Sequence, residues 1–257
     1  MKNYVQVSSL EEAYTLRKKN KKNTILGGNL WMKMGSRNIM TGIDLCKLSL
    51  DTLEENEEFY KIGCMCTLRE LEVNPSLHRE FNGSFKEALR HIVGVQFRNT
   101  ATVGGSVFPR FGFSDVLTIF AALDTSVELY HGGQVPIREF IDSKPDDDIL
   151  VRLIVRKDGR HVSYQTHRMT ETDFGILTCA VACKEGAYTV VLGARPYKAK
   201  IIDNVKLSNP ADPEELENFI DRVVEQVKFG SNMRGSAQYR KEIAKVLIRR
   251  AVQELNR

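Results

Sequence analysis

Two pairs of adjacent glycines, each following a short apolar run, are the strongest constraint on how this chain of 257 residues can fold. The first pair lies in Ile25-Leu26-Gly27-Gly28-Asn29-Leu30-Trp31-Met32, and the second lies in Ala101-Thr102-Val103-Gly104-Gly105-Ser106. Because glycine has no Cβ, the backbone N–H groups of such a turn can approach a diphosphate closely, and a following helix N-terminus adds donors. The pattern favours a nucleotide-binding turn at both places, although a Gly-Gly turn can also serve the fold alone.

Neither glycine pair has the spacing of the best-known nucleotide-binding motifs. The dinucleotide fingerprint is Gly-x-Gly-x-x-Gly, and a P-loop ends in Gly-Lys-Ser or Gly-Lys-Thr. Both pairs lack these patterns, whereas Asn29, Thr102 and Ser106 can add side-chain donors. A conventional Rossmann or kinase fold is therefore disfavoured.

Charge, hydropathy and cysteine usage exclude several classes of protein. The formal net charge is +4 and the basic residues are scattered, so nucleic-acid binding is not indicated. The sequence has no run of about 18 apolar residues and no signal peptide pattern, so we expect neither a membrane span nor export. The five cysteines are odd in number and unevenly spaced, which indicates reduced thiols in the cytoplasm.

The closest pair of cysteines is Cys64-x-Cys66, in a segment where apolar and polar residues alternate as they do in a strand. Zinc and iron–sulfur sites usually need four ligands, and two cysteines do not supply them. We therefore expect small buried thiols here and no metal site in this chain.

The spacing of apolar residues predicts an α+β protein. Strands are predicted at 24–26, 39–45, 59–65, 127–130, 134–137, 149–155, 175–183 and 187–192. Helices are predicted after the capping-box serines 8 and 9, after 67, at 85–93, 114–123, 213–228 and 236–255, with a loop at 94–105. Strands followed by helices favour α+β over alternating α/β. Boundaries near residues 55 and 158 divide the chain into 1–55, 56–158 and 159–257.

Four motifs at fixed spacing carry a family resemblance. The segment 26–30 matches Ala-Gly-Gly-Thr-Asp-Leu, and the segment 98–106 matches Arg-Asn-x-Ala-Thr-Ile-Gly-Gly-Asn. Asp115 stands ten residues after Gly105, and the segment 234–240 matches Arg-x-Ser-x-x-Tyr-Arg. With these motifs the chain resembles the FAD-binding subunits of molybdenum hydroxylases, which include the medium subunits of xanthine dehydrogenase and aerobic carbon monoxide dehydrogenase.

The resemblance implies a fold, a cofactor and partners. Two α+β subdomains of the type found in p-cresol methylhydroxylase (PCMH) and vanillyl-alcohol oxidase would clasp FAD, at 1–55 and 56–158. A C-terminal α+β domain with a three-stranded sheet plus helices would follow at 159–257. The implied partners are a molybdenum-cofactor subunit and a [2Fe–2S] ferredoxin-like subunit, and NAD+ is a possible acceptor.

The same resemblance implies the cofactor-binding residues. Those along the pyrophosphate are Ile25, Leu26, Gly27, Gly28, Asn29, Leu30, Trp31 and Met32, with Ala101, Thr102, Gly104, Gly105 and Ser106 on its other side. The others are Ile92, Gly94, Ser114, Asp115, Leu150 and Gln165. Asp115 would accept hydrogen bonds from ribose or ribityl hydroxyls. Its alternative role is a first-turn carboxylate favoured by the helix dipole, and the alternative for Trp31 is a core side chain.

Three features depart from the family pattern. Ser106 replaces an asparagine, and Gln165 replaces a lysine near the flavin ring, where a cation stabilises reduced flavin. Arg168 or His167 are the alternative cations. The loop 108–113 is unusually aromatic, which indicates a cover over the flavin, a partner contact or simple loop packing.

The expected function is electron transfer from iron–sulfur clusters of a partner subunit, through FAD, to NAD+ or another acceptor. No catalytic residue of this chain is needed, because the isoalloxazine ring supplies the redox chemistry. Two alternatives stay open: a flavin-free assembly subunit, with Ser106 and Gln165 as traces of lost binding, and a stand-alone flavin reductase. The substrate of the complex would bind to another subunit.

Overall fold

The computed structural model describes residues 1–256, which form twelve strands and eleven helices. The strands are β1 (Asn3–Gln6), β2 (Thr24–Leu26), β3 (Thr41–Asp44), β4 (Leu53–Glu55), β5 (Phe59–Gly63), β6 (Thr125–Leu129), β7 (Gly133–Pro136), β8 (Leu150–Arg156), β9 (His161–Arg168), β10 (Gly175–Lys184), β11 (Ala187–Gly193) and β12 (Lys200–Lys206). The helices are α1 (Leu10–Lys19), α2 (Leu30–Met34), α3 (Leu68–Val73), α4 (Pro75–Glu80), α5 (Ser84–Leu89), α6 (Val95–Arg98), α7 (Val103–Val107), α8 (Asp115–Ala122), α9 (Ile137–Asp142), α10 (Pro213–Glu225) and α11 (Ala237–Leu255).

Serine caps fix several helix starts that the sequence predicts. Ser9 accepts a hydrogen bond from the Glu12 N–H at 3.1 Å, and the Glu12 carboxylate accepts one from the Ser8 N–H at 2.8 Å. Ser114 caps α8 and Ser236 caps α11 in the same way. Since each contact spans only three or four residues, the local pattern suffices to predict these helix starts, and the prediction is confirmed.

The stretch 94–105 differs from the predicted loop, because it contains α6 and the first turns of α7. The Val103 N–H donates to the Cys66 carbonyl at 2.9 Å, and the Gly104 N–H donates to the Cys64 carbonyl at 2.7 Å. These bonds join residues almost forty positions apart. A local sequence pattern carries no sign of such bonds, so the helical turns were not predicted.

The described residues divide into two units. The first unit consists of Met1–Glu70, Val95–Pro109 and Thr125–Arg156. The second unit consists of Leu71–Gly94, Arg110–Asp124 and the chain from Lys157 onward. Both units are therefore built from segments that are not consecutive in the sequence.

The first unit contains two sheets. The smaller sheet is parallel with the order β1-β3-β2, so α1 and α2 are its crossover connections. The larger sheet is antiparallel with the order β4-β5-β8-β6-β7. Leu153 in the central strand β8 pairs with Ile62 on one side and Val127 on the other, and all three are fully buried. This row lies in the core of the unit.

The second unit is a four-stranded antiparallel sheet covered by helices on both faces. Along β10, Leu177, Cys179 and Val181 belong to the apolar cluster that includes α10 and α11. Thr178 points to the other face, where its Oγ1 lies 3.3 Å from Thr118 Oγ1 of α8. Because both faces are covered, residues 175–182 of this strand are all buried, and the sequence there is a continuous run of small or apolar residues and one threonine.

The α+β class is confirmed, but the C-terminal sheet has four strands and the expected three is wrong. Neither β9 nor β12 is among the strands predicted from the sequence, and β12 pairs with β11 at the sheet edge through Val191 and Ile201. Only one residue of β12, Ile202, is buried, and the strand contains Asn204 in a left-handed conformation with φ 55°. An edge strand with polar residues at most positions lacks the apolar signal by which strands are predicted.

Arg240 of α11 is the largest fully buried side chain of the described residues. Its Nε donates to the Ile176 carbonyl at 2.9 Å, and its Nη1 donates to the carbonyls of Gly230, at 2.8 Å, and Gly235. Its Nη2 donates to Asn232 Oδ1 at 2.6 Å. This guanidinium therefore fixes the loop before α11 to the start of β10, and a planar fork of donors is required for that.

We predict that Arg240→Lys destabilises the full chain by about 2–4 kcal/mol, because a lysine cannot reach four acceptors in different directions and leaves buried carbonyls unpaired. The matched control is Arg249→Lys in the same helix, where the arginine side chain is 33% exposed and pairs with Glu217. Urea unfolding measures both. Equal midpoints for the two variants would contradict this role of Arg240.

Candidate functional site

The two glycine segments lie against each other in the first unit. A Cβ on Gly28 would stand 2.0 Å from the Thr100 carbonyl oxygen, and a Cβ on Gly27 would stand 2.7 Å from Thr102 Oγ1. The contact at Gly28 is to backbone and requires glycine, whereas a Cβ at Gly27 would displace the Thr102 hydroxyl. The structure therefore brings the predicted residues 25–32 and 101–106 together.

The first segment presents the start of α2. Asn29 precedes this helix in a left-handed conformation with φ 61°, and its side chain makes no capping hydrogen bond. The first helical bond runs from the Lys33 N–H to the Asn29 carbonyl at 3.0 Å. The hydrogen bonds of α2 therefore begin at Lys33, and the N–H groups of the first turn are not used by the helix itself.

The second segment uses several of its own donors within the protein. Thr102 Oγ1 accepts from the Gly105 N–H at 3.2 Å, and the Ser106 hydroxyl donates to the Thr102 carbonyl at 2.9 Å. A Cβ on Gly104 would contact Cys64 at 2.9 Å, whereas Gly105 is exposed and its nearest neighbour is Thr102. Gly105 is therefore the position of this segment where a ligand can approach the backbone.

This donor set fits a diphosphate. The glycines let two backbone segments meet, the start of α2 offers main-chain N–H groups, and Gly105 leaves the second segment open. A diphosphate needs several donors around it and little side-chain bulk, which matches this arrangement. Trp31 is 43% exposed beside it, with its ring centroid 6.5 Å from that of Phe97, so it is not a core side chain.

Asp115 lies in the second unit, in the first turn of α8, where it is buried against two residues of β9. Its Oδ1 accepts a hydrogen bond from the Tyr164 hydroxyl at 2.6 Å and an ion pair from Arg168 Nη2. Burial raises the pKa of the Asp115 carboxyl, and Arg168 opposes this shift. The structure shows a carboxylate that is already oriented, as a binding acceptor must be.

Gln165 points away from Asp115. Its amide donates to Glu254 of α11 at 2.6 Å, on the sheet face opposite to Tyr164 and Arg168. Successive residues of a strand alternate between faces, so one residue decides the environment of a side chain. The structure therefore does not bring Gln165 together with Asp115, and Arg168 is the cation on the face of Asp115.

Comparison with known families settles what kind of chain this is. The model of the FAD binding domain in molybdopterin dehydrogenase matches residues 1–157, and the model of the CO dehydrogenase flavoprotein C-terminal domain matches residues 163–255. The chain belongs to this FAD-binding family. The resemblance predicted from the motifs is confirmed, and with it FAD as the cofactor and the class of oxidoreductase subunit.

Relatives of this FAD-binding subunit match it over nearly their whole length. YgfM of Escherichia coli (strain K12), an uncharacterized protein, is 24% identical over 256 residues, which cover 95% of this chain and 93% of YgfM. The nicotine 6-hydroxylase medium subunit of Paenarthrobacter nicotinovorans is 22% identical over 274 residues, covering 98% and 96%. The crystal structure of quinoline 2-oxidoreductase from Pseudomonas putida 86 superposes with a TM-score of 0.88 at 18% identity, covering 99% and 96%. This last likeness shows the fold.

The remaining predicted residues of the FAD-binding subunit are distributed over both units. Leu150 is buried at the start of β8 in the first unit. In the second unit, Ser114 accepts from the Leu117 N–H as the cap of α8. Ile92 and Gly94 follow α5 and flank Val93, whose φ of 51° is a strained conformation for a β-branched residue.

A cavity of about 360 Å³ in the second unit was not predicted. Phe111 stacks on Phe113 at 5.1 Å, and Phe113 meets the edge of Phe174 at 5.0 Å. The lining consists of Gly112, Phe113, Phe174, Gly175, Ala194, Pro196, Tyr197, Asn232 and Arg234. The aromatic run at 108–113 was its only signal in the sequence. Phe108 of that run instead lies near Phe140 in the first unit.

The two thiols of the Cys64-x-Cys66 pair agree with the expected role as core side chains. Cys64 and Cys66 are free and buried, although they lie in a turn after β5 and not in a strand. Burial raises the pKa of each of these two thiols to about 12. Within residues 1–256, no three His, Cys, Asp or Glu side chains are placed to hold a metal ion.

None of the helices between residues 1 and 256 combines the length and the apolar character needed to cross a lipid bilayer.

We predict that Gly28→Ala destabilises the chain by about 3 kcal/mol or more, because the new methyl would overlap the Thr100 carbonyl. Gly105→Ala should stay within about 1 kcal/mol of the wild type, since alanine is the better helix former and only Thr102 Oγ1 must shift slightly. Urea unfolding without added flavin measures both. A Gly28→Ala variant as stable as the wild type would show that the two segments do not meet.

Proposed function

We propose that this subunit relays electrons from the iron–sulfur clusters of a [2Fe–2S] ferredoxin-like partner to a terminal acceptor. In the proposed complex, a molybdenum-cofactor subunit oxidises the substrate. Membership of the FAD-binding family supports the proposal, as does a relative that is itself the medium subunit of nicotine 6-hydroxylase. Bound FAD supplies the redox chemistry by accepting electrons and passing them on.

The observation that carries the proposal is the meeting of the glycine segments in the first unit. There the main chain of residues 25–32 would hold the pyrophosphate of FAD, with Gly105 at the open side of the second segment. Gly27 and Gly28 allow the approach, and Thr102 shapes the turn by capping α7. The role of these residues is to bind and orient the cofactor.

The other predicted residues have supporting roles in the proposal. Asp115, oriented by Tyr164 and Arg168, accepts hydrogen bonds from hydroxyl groups of FAD. Leu150 and Ile92 offer apolar contact. The boundaries near residues 55 and 158 stay predictions, and the end and start of the two family models at 157 and 163 support the second boundary.

For the acceptor we propose a small molecule with an aromatic ring and negative charge, such as NAD+. The cavity of the second unit supports this class, because Phe113, Phe174 and Tyr197 can stack on a flat ring. Arg234, which lies 5.1 Å from the Phe174 ring and pairs with Asp173, supplies a cation for a phosphate.

One observation favours a flavin-free assembly subunit as the alternative. The Ser106 hydroxyl and the Gln165 amide, which depart from the family pattern, both form hydrogen bonds inside the protein. Purification of the full chain with its native partners decides between the two functions. A yellow subunit with flavin absorbance near 450 nm, together with molybdenum and iron in the complex, supports electron transfer, and a colourless subunit in such a complex supports the alternative.

We predict that Gly105→Ala weakens FAD binding by about tenfold or more, because a methyl at the open side of the second segment holds the diphosphate away from the backbone donors. The matched control is Gly35→Ala at the end of α2, where a Cβ would meet nothing closer than 3.8 Å. Titration of the flavin-free full chain with FAD measures both affinities. An unchanged affinity in Gly105→Ala would remove the second segment from the site.

A further inference from the structure

The cavity of the second unit is lined by an amide side chain whose orientation is fixed. Asn232 lines this cavity, and its Oδ1 accepts hydrogen bonds from Arg240 Nη2 at 2.6 Å and from the Arg234 N–H at 3.0 Å. Both partners are donors and cannot accept, so they fix which end of the amide is the oxygen. The Nδ2 group of Asn232 is therefore the outer end of the amide.

An exposed amide usually rotates freely in water, but the amide of Asn232 is held from the interior. Arg240 is fully buried, and its other nitrogens donate to carbonyls of the surrounding loop and of β10. Rotation of the Asn232 amide would turn its own donors toward this guanidinium. Asn232 is an exposed residue, and both hydrogen bonds of its side chain end on Oδ1, so Nδ2 is left as a directed donor for an acceptor that enters the cavity.

The walls of the cavity suit a flat ring. Phe113 and Phe174 meet edge to face at 5.0 Å, and Tyr197 forms a further part of the lining. A Cβ on Gly112 would lie 2.0 Å from the Tyr197 carbonyl oxygen, so the segments that carry Phe113 and Tyr197 are packed backbone to backbone. Aromatic side chains stack on aromatic ligands, and they attract rings that carry positive charge.

The cavity is also positively charged at its rim. The Arg234 side chain is 32% exposed and pairs with Asp173 at 3.2 Å. The guanidinium of Arg195 and the ammonium of Lys228 lie 5.3 Å and 5.2 Å from the centre of the Tyr197 ring. Because Asp173 offsets the charge of Arg234, the other two cations give this side of the cavity a net positive potential, which attracts phosphate.

We propose that Asn232 is the residue that determines which electron acceptor this subunit binds, and that its Nδ2 donates to a carbonyl group on the aromatic ring of the ligand. The class of ligand is a flat ring that carries a carbonyl group and is joined to phosphate, as in a pyridine nucleotide. A cavity of about 360 Å³ is near the lower end of the range for ligand pockets, so it holds the ring half of such a molecule. This inference rests on the proposed function, because it concerns the acceptor of the same subunit.

The test titrates the FAD-loaded full chain with NAD+ and with ADP-ribose by calorimetry. Bound FAD occupies the glycine segments, and oxidised flavin does not react with NAD+, so the titration measures binding alone. ADP-ribose keeps the diphosphate but lacks the pyridine ring and its carboxamide. We expect the wild type to bind NAD+ about tenfold or more tightly than ADP-ribose. Equal affinities for the two ligands, or no binding of NAD+, would overturn the inference.

The variant that tests the donor is Asn232→Asp, which has the same shape. A carboxylate still accepts from Arg240 and from the Arg234 N–H, so the urea midpoint should not fall. The outer NH₂ becomes an oxygen that cannot donate, and NAD+ binding should weaken by about tenfold or more. ADP-ribose binding should weaken much less. The matched control is Asn218→Asp on the exposed side of α10, which adds the same charge to the second unit and should leave both affinities unchanged.

Arg234→Gln separates the recognition of the ring from the recognition of phosphate. We expect it to weaken NAD+ and ADP-ribose by similar factors, because both ligands carry the diphosphate. If Asn232→Asp lowers the two affinities equally, its effect is repulsion alone, and the role of Asn232 is overturned. It is overturned as well if NAD+ binds to Asn232→Asp as tightly as to the wild type.

The two proposals fail in different ways. A chain that takes up no FAD overturns the proposed electron transfer, and the same titrations on that flavin-free chain then test the cavity by itself. A chain that takes up FAD but shows no preference for NAD+ over ADP-ribose overturns the inference about Asn232 and leaves the proposed electron transfer standing.

Discussion

The close approach of two backbone segments in the first unit is the constraint on which the proposed site depends. Gly28 comes so near to the Thr100 carbonyl that a Cβ would lie 2.0 Å from it. This contact fixes the turn after β2, and with it the direction of α2, against the segment that leads into α7. The same absence of side chains that allows the contact also leaves backbone donors accessible to a diphosphate. Packing therefore fixes the residue type at Gly28, whereas Gly105 can be changed with little effect on the fold.

Local features of the fold could be predicted from the sequence, whereas features set by distant contacts could not. Ser9, Ser114 and Ser236 cap their helices through bonds that span three residues, so the pattern alone identifies them. The helical turns at 94–105 depend on bonds to Cys64 and Cys66, and β12 is a polar strand held at a sheet edge. The glycine motifs indicated that the segments bind a nucleotide, but only the structure shows which glycines are needed for packing.

The residues around Asp115 show a second limit of sequence reasoning. An alignment that is uncertain by one residue does not tell which face of a strand a side chain points to, because successive side chains alternate. The two faces of β9 contact different helices. Gln165 meets Glu254 on one face, while Tyr164 and Arg168 meet Asp115 on the other. The pleat of the strand therefore decides which of these side chains faces Asp115.

Two arginines of the second unit whose side chains are buried hold different kinds of partner. Arg240 directs its bonds to three carbonyls and the Asn232 amide oxygen, so its burial is explained by the loop that it holds. Arg168 binds Asp115 and one carbonyl, and it keeps a buried Nε–H without an acceptor. Arg240 therefore closes a loop through neutral acceptors, whereas Arg168 compensates the charge of a buried carboxylate.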